Sequence, residues 1–246
     1  MRLGKQPARI DANRLKLSKY LPATLPLAPP ECDWTRGITT FGMMLNDNEG
    51  DCVFAAGGHA IQTWTAAQGV VRTPPDRQIQ SYYEVWAGFK PSDPSTDNGY
   101  VIVDFLNKWH LFNYCGALID GYADPDWTNT EHIRQSIYLF GGVDLGLQLP
   151  AAWRTADVWD AIGGAEGEAG SWGGHSVWVP AYNATGPVCV TWGALKQMTW
   201  AALAKYCDEA HTLRSPLFLD ANGEAASKVD LAAWTSDIAL LQPTRT

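Results

Sequence analysis

The stretch NDNEGDCVFAAGGHA, Asn46–Ala60, sets one cysteine between a polar, glycine-bearing turn and a run of small and apolar residues. The run continues as IQTWTAAQG toward Gly69 and, with Asp51 at its start, predicts a helix that begins at Cys52. The first N–H groups of a helix carry partial positive charge and stabilise a thiolate, so Cys52 is a candidate nucleophile. The competing reading is a buried structural thiol, since cysteine is among the most buried residue types. Gly57 and Gly58 each weaken a helix by roughly 1 kcal/mol relative to Ala, which predicts that another backbone packs closely on them.

Working outward, IQSYYEVWAG predicts a helix over Asp76–Gly88, and YVIVDFLNKWHLFN a third after the loop KPSDPSTDNG. TNTEHIRQSIYLFGG predicts a fourth, capped by Thr128 or Thr130 and stopped by glycine. VDLGLQLP, GGHSVWVPAYN and PVCVTWG read as strands, the last two separated by the turn NATG. TWAALAKYCDEA returns to helix with Thr199 as its cap, and DLAAWTSDIALL closes the chain as a short helix behind Asp230. Helices first and strands second favour an α+β protein over a doubly wound sheet.

Residues 1–33 read as an extended, proline-rich basic arm: prolines at 22, 26, 29 and 30 forbid a continuing helix, and the first twenty residues hold six Lys/Arg against one Asp. The arm is read as a strap on its own domain, a pro-segment or a partner-binding arm. The remainder, 34–246, carries the acidity that gives the chain its net charge of −8, which argues against general nucleic-acid binding. No run approaches the length of a membrane span and the N-terminus lacks the apolar segment of a secretory signal, so the expectation is no membrane partner and a cytoplasmic start. Five scattered cysteines without close pairing are read as mostly reduced. No metal-ligand set or phosphate loop is visible, and no cofactor is expected.

A nucleophilic cysteine needs a base that is distant in sequence and near in space. His59 lies two helical turns after Cys52, about 10 Å along the axis, and reads as a core or lobe-interface residue. His110, His132 and His211 have nothing local to orient them. His175 differs: it follows the loop GEAGSWGG and opens the apolar strand SVWVPAY, which would hold its ring at the mouth of a sheet.

Together these features resemble the papain-like cysteine peptidases. That family has a glutamine six residues before the nucleophile and a glycine two before it, offsets that fall here on Asn46 and Gly50. Its central helix is similar to VFAAGGHAIQTW, its following glycine-led helix to NGYVIVDFLNKWHLFN, its next helix and strand to HIRQSIYLFGGVDLGLQL, and its base-bearing strand to GGHSVWVPAYN. VTWG, Val190–Gly193, resembles its Asn-Ser-Trp-Gly segment; the histidine-orienting asparagine falls on Val190 by motif or Thr191 by spacing. The resemblance implies a helical lobe, about 34–140, with Cys52 at a helix N-terminus, packed on an antiparallel β-rich lobe, about 141–246, that carries His175. It also implies a thiol hydrolase acting on peptide or isopeptide bonds of a peptide or protein substrate. Cys52 would be nucleophile, His175 base, Asn46 oxyanion donor, and Thr191 with Trp192 the support of the imidazole.

LNDNEGDCVFAAGGHA, with VTWGALKQMT and AKYCDEA, also resembles uncharacterised proteins of tailed bacteriophages and prophages. This implies a host cytoplasm or a virion as the setting. It supplies the alternative function: a catalytically weak or inactive papain-like fold serving as a decoration or connector protein, tied to phage structural partners through the N-terminal arm.

Overall fold

The computed structural model describes residues 1–9, 14–21 and 27–219, with Ala233 and Ser236. Its first long helix, α1 (Cys52–Ala67), is buried from Cys52 through Thr65, as a helix of small and apolar residues on all sides must be. The crowding at its glycines comes from side chains rather than the backbone expected. A Cβ on Gly57 would lie 2.6 Å from the Phe105 ring, and one on Gly58 2.4 Å from Met44 Sδ. Around α1 pack α2 (Asp76–Ala87), which Gly88 ends at φ +77°, and α3 (Ile102–Leu111). Phe54, Trp64, Tyr83, Phe105, Trp109 and Tyr114 form an aromatic core between them.

Helix α4 (Thr130–Phe140) is capped by Asn129, whose side chain accepts from the Glu131 N–H, and not by either threonine. The Thr128 hydroxyl is instead committed to Asp126, 2.6 Å away.

Among the described residues the strands are β1 (Cys32–Asp33), β2 (Gly121–Ala123), β3 (Val143–Leu149), β4 (Val158–Trp159), β5 (Gly173–Tyr182), β6 (Pro187–Thr191), β7 (Ala194–Met198) and β8 (Cys207–Arg214). They form one sheet in the order β2-β8-β3-β5-β6-β7-β4, with β1 also on β5. All pairings are antiparallel except β4 with β7. The fold is α+β: α1, α2 and α3 share a core with Trp178 and Leu213 of the sheet, and α4 packs through Ile133 and Ile137 with Val143, Val177 and Val179. A second core of Leu145, Leu147, Trp153, Trp159, Val177 and Tyr206 lies on the sheet.

Helix α5 (Trp200–Tyr206) has Thr199 as its cap, accepting from the Ala202 N–H, but it stops before CDEA. Cys207 turns extended and begins β8, because pairing with β3 and β2 outweighs the local helical preference. The predicted closing helix behind Asp230 falls almost wholly outside the described residues. All five cysteines are free thiols.

Candidate active site

The N-terminus of α1 abuts β5. The Cys52 thiol is 1% exposed, and the backbone N–H groups of Ser176, on β5, and of Gly4 lie by it and favour its ionised form. Burial pushes its pKa up to about 12, despite those two donors. The first intrahelical bonds of α1 run from the Phe54 and Ala55 N–H groups to the Asp51 carbonyl, so the Cys52 N–H precedes the ladder at the positive end of the helix.

One residue before Ser176, His175 is likewise 1% exposed. Its Nε2 is 2.7 Å from Thr191 Oγ1, a hydrogen bond across the sheet, while its Nδ1 is buried with no hydrogen-bond partner. Its ring stacks on Trp192 at 4.5 Å and 14°. This platform has a local cause. The β6–β7 hairpin turns on two residues, Trp192 and Gly193, with φ +47° and +73°, the positive-φ pair that suits a two-residue hairpin. Trp192 accepts a backbone conformation costly for a non-glycine residue, on the order of 1–2 kcal/mol, and its indole thereby lies flat on the imidazole. Burial, and behind it the neighbouring His59, hold the His175 pKa down at about 3. His59 is a core residue, its Nε2 2.9 Å from the Gly42 carbonyl.

Of the sequence-predicted residues, His175, Thr191 and Trp192 thus converge, and Cys52 meets the same strand one residue on. Asn46 sits in the loop before α1, 2% exposed, but its Nδ2 protons go to the Glu49 carbonyl at 3.2 Å and Asp51 Oδ1 at 3.1 Å. Gly50 donates to Asp97 Oδ1 at 2.8 Å, which fixes the turn that precedes the thiol. Val190 lies buried in β6.

What covers these groups is the chain's own start. Residues 2–6 run between the helices and the sheet. Arg2 N–H donates to the Asn46 carbonyl at 3.0 Å, Lys5 N–H to Gly174 at 3.2 Å, Gln6 N–H to Tyr100 at 3.0 Å, and Tyr100 N–H to the Gly4 carbonyl at 2.8 Å. Trp192 Nε1 donates to the Arg2 carbonyl at 3.3 Å. The passage is made by glycines: a Cβ on Gly4 would lie 1.7 Å from the Gly50 oxygen, one on Gly99 1.8 Å from the Gly4 oxygen, and one on Gly174 2.4 Å from the Lys5 oxygen.

Beside the strap lies a charged cluster that the sequence reading missed. His211, buried in β8, is bonded through Nδ1 to Asp124 at 2.9 Å and through Nε2 to Glu209 at 3.1 Å. Burial works against its charge, but the two carboxylates outweigh it and raise its pKa to about 9. Asp144, which accepts from the Ser176 hydroxyl at 2.9 Å, is pushed up to about 7 by burial. Lys5 joins this cluster from the strap. Had CDEAHTLR been read as a strand, its alternation would have put Glu209 and His211 on one face.

No protein-family model matches the sequence, and no curated protein matches it. Solved structures do match the fold. Xylellain, a cysteine protease from Xylella fastidiosa, superposes with a TM-score of 0.64 over 86% of this chain and 95% of its own, at 14% identity. Digestive procathepsin L 3 of Tenebrio molitor larval midgut gives 0.56 over 82% and 76%, at 12% identity. The bromelain protease from Ananas comosus, in complex with the E64 inhibitor, gives 0.52 over 76% and 99%, at 12% identity. These are papain-like cysteine proteases, and the chain has the papain-like fold.

Proposed function

We propose that this chain is a thiol peptidase in which Cys52 is the nucleophile and His175 the base, closed by its own N-terminal strap. The observation that carries the reading is the ring of His175: braced by Thr191 and Trp192, it keeps one buried nitrogen without a partner on the strand that also touches the Cys52 thiol.

In this reading Nε2–H donates to Thr191 Oγ1, which leaves the lone pair on Nδ1. As Sγ adds to a peptide carbonyl carbon, Nδ1 takes the thiol proton and the carbonyl oxygen gains the negative charge, which meets the Cys52 N–H at the start of α1. The tetrahedral intermediate collapses as the C–N bond breaks, and the imidazolium returns its proton to the leaving amine. Water then attacks the thioester, His175 accepts its proton, and the thiol is regenerated as the acid leaves. Asn46 joins the oxyanion site only if its amide leaves Glu49 or Asp51.

With the strap seated, both groups rest in neutral forms, and no substrate chain fits between Gly50 and Gly99 while Gly4 is there. Release of residues 2–6 readmits water and returns both groups toward their ordinary ranges. The test is peptide hydrolysis. A defined peptide mixture incubated with the Gly4→Ala chain should yield cleavage products by mass spectrometry, lost on adding Cys52→Ala or His175→Ala. Absence of cleavage by the opened chain, or cleavage that survives Cys52→Ala, would refute the proposal.

A further inference from the structure

The strap does more than fill space, because its one inward-pointing cation is fully buried. The Lys5 side chain is 0% exposed, with Nζ 2.9 Å from Asp208 Oδ2 and 3.0 Å from Glu209 Oε1. Its backbone lies next to Gly4, whose N–H is beside the Cys52 thiol. The stem passes over glycine: a Cβ on Gly146 would lie 2.2 Å from Lys5 Cε, so a side chain at that position would close the slot.

We infer that this slot is a recognition pocket for a lysine or arginine side chain of the substrate, read by Asp208 and Glu209 beside the proposed nucleophile. The inference rests on the thiol-peptidase reading above. Its floor is built for a cation before any substrate arrives. Glu209 is 1% exposed; its Oε2 is taken by His211, and its Oε1, with no hydrogen-bond partner besides the Lys5 ion pair, points into the slot. Asp208 is held by Gln148, whose Nε2 donates to its Oδ2 at 2.6 Å, and is 27% exposed at the slot's open side. When the strap leaves, a buried carboxylate faces an emptied, glycine-walled slot. An unpaired buried charge is costly, so the opened cleft favours a chain that restores the cation and disfavours one that brings an apolar or acidic side chain. An ammonium and a guanidinium both satisfy this chemistry, and the paired carboxylates suit either.

The test separates this inference from catalysis. In the full chain, Lys5→Ala empties the slot, and n-butylammonium, which reproduces the lost stem and charge, should raise the melting temperature by about 3–5 °C at about ten times its Kd. Neither 1-butanol on Lys5→Ala nor n-butylammonium on the wild type should do so. If Lys5→Ala does not fold alone, the same additive should restore a cooperative transition, and its failure to do so counts against the pocket. A second pair of variants keeps volume apart from charge: Lys5→Arg should melt above Lys5→Met, and equal melting temperatures would overturn the inference. The opened enzyme should cleave basic peptides at least tenfold faster than matched norleucine peptides. Rescue without any cleavage would leave the pocket standing and sink the peptidase reading; cleavage indifferent to the basic residue would do the reverse.

Discussion

Replacing Gly4 by alanine should open the cleft. The added Cβ would lie 1.7 Å from the Gly50 oxygen and 2.3 Å from its carbonyl carbon. Both are backbone atoms, in a turn pinned by the Gly50 N–H to Asp97, so the strap has to lift. Lifting it costs four backbone hydrogen bonds, those of Arg2, Lys5, Gln6 and Tyr100. At about 0.5–1.5 kcal/mol net each, the seated strap is worth roughly 2–6 kcal/mol. The open fraction then rises by about 30-fold to about 20,000-fold, at about 1.4 kcal/mol per factor of ten. The chemistry moves the same way. At pH 8 a thiol held near 12 is ionised in about one molecule in ten thousand, whereas an ordinary thiol near 8.5 is ionised to about a quarter. Iodoacetamide labelling followed by peptide mass spectrometry should therefore show Cys52 reacting at least about 30-fold faster in Gly4→Ala than in the wild type. Cys115 and Cys189, buried elsewhere, serve as internal references. A folded Gly4→Ala chain whose Cys52 labels no faster than the wild type would refute the reasoning.

Thr191→Val keeps the side-chain shape and removes the hydroxyl from Nε2 of His175, an uncompensated loss of about 1–3 kcal/mol. In the opened background, kcat/KM should fall about 10- to 100-fold, while Thr191→Ser retains most of it. Stability should depend on pH through His211, whose folded pKa lies above its ordinary value. Its contribution is complete below pH 6.5 and is lost as pH rises toward about 9, so the melting temperature falls across that window and His211→Gln flattens the slope. Gly57→Ala drives a methyl to within 2.6 Å of the Phe105 ring, and denaturant unfolding should show a loss of about 1–3 kcal/mol despite the better helix propensity of alanine.

The parts of the site that were legible in the sequence are those encoded by neighbours in the chain. Cys52 follows a turn and starts an apolar run, and His175 opens a strand; Thr191 and Trp192 were reached only through the resemblance of VTWG to a family segment, and the hairpin they form with β7 behind it was not read. Antiparallel pairing of β5 with β6 then sets the imidazole and the hydroxyl side by side. Thr191, and not Val190, faces the ring, because alternate residues of a strand point to opposite faces. The strap was legible only as an extended basic arm. Its seat is a fit among Gly4, Gly50, Gly99 and Gly174, residues far apart in the chain whose lack of side chains carries no local signature. His211 was missed for a related reason: CDEA looks helical beside AALAKY, and only the open edges of β3 and β2 make it a strand. The aromatic abundance was visible as a count, but its division into a core around α1 and the stack on His175 depends on tertiary placement.

The central claim is that Cys52, served by His175, forms a covalent acyl intermediate. It is tested most directly by mixing the Gly4→Ala chain with a peptide p-nitrophenyl ester and recording the intact mass after rapid acid quench. The account predicts a single acyl adduct that maps to Cys52 and is absent from the Gly4→Ala/His175→Ala chain. No adduct, an adduct on another residue, or one that forms equally fast without His175 would contradict it.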